Sequence, residues 1–399
     1  MLIDLTDEKT FSGNGFWQDM AWLREHDPVH WHPEPDGPGF WAVTRYEDAL
    51  GVYHDWETFS SRNGMRLETN PAAVAAVTQR MLIVSDPPDH SQLKRVLAKG
   101  FSPAEIPHAE DLIRRVVREL LGEALRDREI DIVDLARRVP TRVVCALMGV
   151  PREEWDWLGG TMNAAFEGED EQSRLAAHAE IFLYFSELVT ERRVSPGDDF
   201  VSRIAHDRRS TSVPGETRLL SDEEIAVNCN GVLAGGNETT RYSAGGAVLA
   251  LLENPAQWEK LRTEGRSILP TAIEEVLRWT TPGVHVLRTA TRPARIAGTD
   301  IAEGDRVTVW NVSANRDEAA FDAPERFDLA RTPNKHLSFG GGRHQCLGAR
   351  LARLELSVFL EELVAGVDSI EQTGEPGYTA SNFTWGVRHL PVRLTPARR

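Results

Sequence analysis

Residues 222–252 read as one unbroken helical run, and no other stretch limits the fold of this chain as much. Ser221 and Glu224 form an S-x-x-E capping box at its start, and Asn254-Pro255 stops it. Inside the run lies GVLAGGNETTRYSAGG, residues 231–246. A glycine inside a helix costs about 1 kcal/mol relative to alanine. Gly235 and Gly236, side by side, therefore need a reason. Close approach by a flat ligand is one; a local distortion of the helix is another. Asn237, Glu238, Thr239 and Thr240 follow in mid-helix. A Glu238 that points to solvent, with threonines as filler, is the plain alternative.

The rest of the pattern is also mostly helical. Residues 40–44 read as a strand, followed by a helix from Tyr46. A helix opens at the proline pair of DPPDHSQLKR, and 103–150 and 152–193 read as successive amphipathic helices. LPTAIEEVLRW is another. From residue 282, and again over 367–399, short strands with turn residues take over. The strands never alternate with helices as a doubly wound parallel sheet requires. The expected fold is mainly α with small β-sheets, in a single domain over 1–399. Its smaller β-rich part lies at about 20–60 and 282–310.

The net charge of −16 argues against nucleic acid or an anionic membrane as partner. No run of about 18 apolar residues is present, and the N-terminal residues lack a signal-peptide pattern. Three cysteines without a C-x-x-C pair make neither a disulfide framework nor a zinc site. The expected compartment is the cytoplasm.

One of those cysteines has unusual surroundings. HLSFGGGRHQCLGARLARLEL, residues 336–356, joins Gly340-Gly341-Gly342 to Cys346 and then to a helical period. Backbone N–H groups and the macrodipole at a helix start favour a thiolate, which suits a metal ligand or a nucleophile. A buried structural cysteine is the commonest fate of a free thiol. A phosphate-binding loop is a third reading, but no G-K-[ST] follows and no βαβ fingerprint precedes.

The loop resembles the haem-binding signature of the cytochrome P-450 superfamily, F-x-x-G-x-[HR]-x-C-x-G. Phe339, Gly342, His344, Cys346 and Gly348 stand in register, with Gly340 inside the same loop. The resemblance implies that Cys346 is the axial thiolate of the iron of a haem b. GGNETT is similar to the family's acid–alcohol motif on the helix that crosses the haem. By that match Glu238 and Thr239 deliver protons, and Ala234 and Gly235 lie closest to the porphyrin. Glu275 and Arg278 match the family's E-x-x-R, and Pro324-Glu325-Arg326-Phe327 supplies Arg326 as the expected third member of a buried charged network. His344, Arg288 and His90 match positions that serve the haem propionates. In the family's H-x-x-x-R the arginine is here Lys94, a point charge without a fork.

The resemblance implies a monooxygenase that inserts one atom of O₂ into a small organic substrate, in antibiotic-type secondary metabolism or in catabolism. A non-oxygenating haem-thiolate protein and a peroxide-driven oxygenase are the alternatives; neither needs the acid–alcohol pair. No flavin or nicotinamide fingerprint is present, so a ferredoxin and its reductase are the implied electron donors. Between Ala330 and Leu354 there is no Asp or Glu, but there are Arg331, Lys335, Arg343, Arg350 and Arg353. This basic stretch is the expected docking face for an acidic ferredoxin. The substrate pocket is expected to draw polarity from Arg66, Glu68, Asn228, Asn230 and His285.

Overall fold

A computed structural model describes residues 3–34, 37–67, 70–101, 106–168, 170–210 and 215–397. Its spine is the helix Asp222–Glu253, 32 residues long. The capping box forms as expected: Ser221 Oγ accepts from the Glu224 N–H at 3.1 Å, and the Glu224 carboxylate accepts from the Ser221 N–H at 2.8 Å. Each half of this helix organises its own apolar cluster. Ile225, Cys229 and Leu233 pack with Met162, Ile181, Phe185 and Ile204. Ala244, Val248 and Leu251 pack with Ile113, Val139, Leu277, Leu356 and Phe359. Burying each such leucine or isoleucine is worth roughly 1.5–3 kcal/mol, far more than the glycines cost.

Gly236 is explained by the fold. A Cβ there would stand 2.8 Å from Val144 Cγ2 on the helix Ile132–Met148, so the residue sets how closely the two helices pack. Gly235 is different: a Cβ there meets nothing within 4 Å. One glycine of the pair serves packing, and the other opens the helix surface.

The stretch expected as helix over 103–150 is broken. Its first part begins at Ile106, with 103–105 outside the described residues, and ends at Asp127. A strand, Glu129–Asp131, then pairs antiparallel with Pro391–Pro396. Asp131 caps the next helix, its carboxylate accepting from the Val133 N–H at 3.0 Å. That cap separates two helices which periodicity alone merges.

The largest sheet has five strands in the order Val29–His32, Phe40–Val43, Arg306–Trp310, His285–Ala290 and Phe59–Ser60. All neighbours are antiparallel except Phe40–Val43 and Arg306–Trp310. The register sets Arg288 opposite Val307, so a buried arginine comes from the middle of a strand.

Candidate active site

The cysteine loop is shaped by its glycines against the helix Tyr46–His54. Gly340 and Gly342 hold φ of 65° and 61°, in the region that side chains disfavour. A Cβ on Gly342 would collide with the carbonyl oxygen of Tyr53. The Cys346 N–H donates to the Phe339 carbonyl at 2.9 Å and closes the loop. The helix Ala349–Gly366 follows. Cys145 and Cys229 are buried, whereas the Cys346 side chain is exposed. Loss of solvation around the sulfur nevertheless pushes the thiol up. The N–H groups of Gly348 and Ala349 and the charges of Lys94 and Arg353 oppose that shift without cancelling it. The dipole and donors expected to make a free thiolate are therefore outweighed by desolvation.

Around the loop gather four basic side chains. His90 and His344 stack at 4.1 Å between ring centroids. His90 Nδ1 is buried with no hydrogen-bond partner. His344 Nε2 lies 3.2 Å from Ser61 Oγ. Arg288 is buried and donates to the carbonyl of its neighbour Leu287 at 2.7 Å. Burial and the Lys94 charge hold His90 down to about 4, and burial, then Arg288, His90 and Lys94, hold His344 down to about 2. Lys94 Nζ donates to the carbonyls of Arg343 at 2.5 Å and Gln345 at 3.0 Å.

On the central helix, Glu238 is buried and Oε2 accepts from Arg241 at 2.7 Å. Arg241 also pairs with Glu167, the last residue of the helix Trp155–Glu167. Burial pushes the Glu238 carboxyl up to about 7; Arg241 pulls it down, but shares its charge with Glu167, which pushes it up again. Glu238 Oε1 is buried without a partner. Thr239 Oγ1 donates to the Gly235 carbonyl at 2.8 Å, which leaves its lone pairs free to accept. A carboxyl that titrates near neutrality next to such a hydroxyl can take and give protons at working pH. Sequence reading named Glu238 and Thr239 but missed Arg241 and Glu167. The i, i+3 spacing could have found Arg241; nothing local points to Glu167.

The Glu238 carboxyl is neutral below about pH 7 and charged above it. Turnover of the wild type should carry a pH limb centred near that value. Glu238→Gln, which keeps shape but cannot titrate, should lose the limb and about a hundredfold in rate. A pH–rate profile of both proteins is the check.

The family model for cytochrome P450 matches residues 161–367. Cytochrome P450 NovI of Streptomyces niveus is 40% identical, over 94% of this chain and 91% of that protein. Linalool 8-monooxygenase of Pseudomonas putida is 35% identical, over 94% and 95%. The crystal structure of P450 OxyD, involved in the biosynthesis of vancomycin-type antibiotics, superposes with a TM-score of 0.90 at 36% identity, covering 99% of this chain and 100% of that one. The chain belongs to the cytochrome P450 family. It is a haem-thiolate monooxygenase with the P450 fold.

The residues present fit a P450 haem, a flat macrocycle with an iron and two carboxylates. An exposed Cys346 offers the thiol, and the Gly235 surface offers room for a flat face. The orphaned His90 Nδ1 and the under-partnered Arg288 are donors that want anions. Crowding these basic groups is unfavourable by itself, and two carboxylates would relieve it.

The network behind the loop corrects one expectation. Arg278 grips Glu275 with bonds of 2.8 and 2.9 Å, both side chains fully buried. The third cation is Arg331, whose Nε lies 3.0 Å from Glu275 Oε2. The Arg326 side chain is 69% exposed and faces Asp328 at 3.6 Å. Residue 326 contributes its carbonyl, which accepts from Arg278 at 3.3 Å and Arg331 at 2.8 Å. The turn after Ala323 directs the Arg326 backbone, not its side chain, at the pair.

The expected pocket polarity also changes. Asn228 bridges backbone, accepting from the Leu82 N–H at 2.9 Å and donating to the Arg80 carbonyl at 2.8 Å. His285 Nδ1 lies 2.7 Å from the Asn382 carbonyl, and Nε2 accepts from the Leu67 N–H at 3.3 Å. Both are buried and hold the surrounding loops in place. Arg66 is exposed over the Phe383 ring, Asn230 is half-buried, and Glu68 lies outside the described residues. Of the basic stretch, Arg331 is taken by Glu275 and Arg353 by Glu274. Lys335, Arg343 and Arg350 remain exposed, with Arg343 over the Trp56 ring at 4.9 Å.

Proposed function

We infer that this P450 inserts one atom of O₂ into a small organic substrate, an antibiotic-type secondary metabolite, in the cytoplasm and with residues 1–399 acting as one unit. The likeness to OxyD, which is involved in the biosynthesis of vancomycin-type antibiotics, supports a role in that type of metabolism. Among the described residues no helix is long and apolar enough to cross a membrane. A haem b, when bound, supplies activation of O₂ at iron, and a thiolate ligand favours O–O cleavage. Cys346 is the ligand; His90, Arg288 and His344 hold the propionates. Phe339, Gly340 and Gly348 shape the cysteine loop, and Ala234 and Gly235 border the macrocycle. Electrons come from a ferredoxin and its reductase, with the ferredoxin docked on Lys335, Arg343 and Arg350 by charge complementarity.

The observation that carries this reading is the buried Glu238 poised near neutrality beside Thr239. Glu238 exchanges a proton with solvent through the Arg241–Glu167 side of the helix. The Thr239 hydroxyl, donating to Gly235, accepts from a water and orients it. A protein that only binds a ligand, or one driven by peroxide, has no use for a carboxyl held this way.

Thr239→Ala keeps the helix and removes the orienting oxygen. Ferredoxin-driven turnover should continue to consume electrons, while product per electron pair falls several-fold and peroxide appears. Nicotinamide consumption, peroxide and product, measured together on substrates selected by their Soret shift, decide it. Unchanged coupling removes Thr239 from this role.

A further inference from the structure

Asn228 fastens one short segment to the central helix. Its Oδ1 accepts from the Leu82 N–H at 2.9 Å and its Nδ2 donates to the Arg80 carbonyl at 2.8 Å, so the backbone is held on both sides of Met81. Nδ2 also donates to the Glu224 carbonyl at 2.6 Å, one turn back on the same helix, which fixes the amide itself. The Arg80 side chain adds an ion pair to Glu223. The Met81 carbonyl accepts from the Ser85 hydroxyl at 2.6 Å. Held in this way, Met81 lays its side chain on Gly231: a Cβ on that glycine would stand 2.8 Å from the Met81 methyl carbon. The methionine is half-buried.

Gly231, Gly235 and Thr239 recur every four residues and share one face of the helix Asp222–Glu253. In the reading above, Gly235 borders the macrocycle and Thr239 orients a water beside it. Met81 therefore covers the same face one turn before Gly235. Gly231 and Thr239 are eight residues apart, about 12 Å along the axis. A substrate whose reacting carbon lies near Thr239 meets the methionine after a group of about one ring.

We propose that Met81 is a specificity-determining wall of the substrate site: seated on Gly231 and positioned by Asn228, it limits the apolar group that a substrate carries along the central helix to about one ring. The proposal rests on the haem reading of this face. Methionine suits the place, being unbranched and polarisable and making favourable contacts with aromatic rings. Its backbone is bonded on both sides and cannot retreat, so the space left to a substrate is set by the side chain alone.

Imidazole, a phenylimidazole and a biphenylylimidazole reach progressively further from the iron, and the Soret shift of the holoenzyme reads the binding of each. The wild type should bind the biphenyl compound about tenfold more weakly than the phenyl compound. M81A should abolish that difference and leave imidazole unchanged. N228A should do the same, because the methionine is no longer positioned. G231A suits a helix better than glycine, but its methyl group pushes Met81 outward, so the phenyl compound should bind several-fold more weakly. In the M81A background G231A should have no effect. Undiminished discrimination in M81A, with imidazole still shifting the Soret band, overturns the wall alone. An effect of G231A that persists without the methionine overturns it too. A wild type that shows no shift with imidazole refutes the haem reading and the wall together. Should M81A retain no haem, M81F carries the test: a phenyl compound bound as tightly as by the wild type overturns the proposal.

Discussion

Cys346→Ser should abolish monooxygenase turnover and the thiolate-type carbon monoxide spectrum while leaving the fold intact. The loop does not depend on sulfur for its shape. It is closed by the Cys346 N–H on the Phe339 carbonyl and bent by Gly340 and Gly342 against Tyr53. Serine keeps all of that. What it loses is the anionic ligand proposed for the iron. Even the thiol is held above its ordinary pKa in this setting, because burial outweighs two N–H donors and the charges of Lys94 and Arg353. The proton leaves only when a metal replaces it. A hydroxyl, far less acidic than a thiol, does not make that exchange near neutral pH. Cys145 and Cys229 cannot substitute: both are buried and free, and burial pushes the Cys145 thiol up to about 12. Circular dichroism, haem content and the ferrous carbon monoxide spectrum check the result. A variant that keeps thiolate-type absorption would move the ligand to another residue.

Much of the architecture was legible because it is local. The capping box at Ser221, the stop at Asn254-Pro255 and the period after Cys346 act within a few residues of chain, and the structure has them. The break at Glu129–Asp131 was not legible, since it depends on a strand more than 250 residues away, Pro391–Pro396. The site divides the same way. Motif spacing singles out Cys346, Glu238 and Thr239 as candidates, but a side chain's partner is a tertiary fact. Gly342 stood out only as part of the loop motif, and the Tyr53 carbonyl is what requires it. His285 and Asn228 looked like substrate contacts and bond to backbone. Arg326 and Arg331 lie in one short segment of similar composition; only the path of the turn decides which guanidinium reaches Glu275.

That choice between two arginines has a large energetic consequence. Glu275→Gln should destabilise the holoprotein by about 3–5 kcal/mol, whereas Arg326→Ala should cost less than about 1 kcal/mol. Glu275 accepts from Arg278, from Arg331, from the Asp328 N–H at 2.9 Å and from Asn334 Nδ2 at 3.0 Å. Replacing the carboxylate by an amide leaves two buried guanidinium groups without a counter-charge, and turns an N–H₂ group toward donors. Arg278 has some compensation, donating also to the carbonyls of Asn315 at 3.0 Å and Pro324 at 2.9 Å. Those bonds satisfy its N–H groups but not its charge. Folded proteins hold only about 5–15 kcal/mol in total, so the loss should show as a large fall in the urea midpoint and as faster haem release from the loop that Arg331 and Asn334 lead into. Arg326, with its side chain largely in water, gives up a screened contact with Asp328. Equal losses for the two variants would restore Arg326 to the network and remove Arg331 from it.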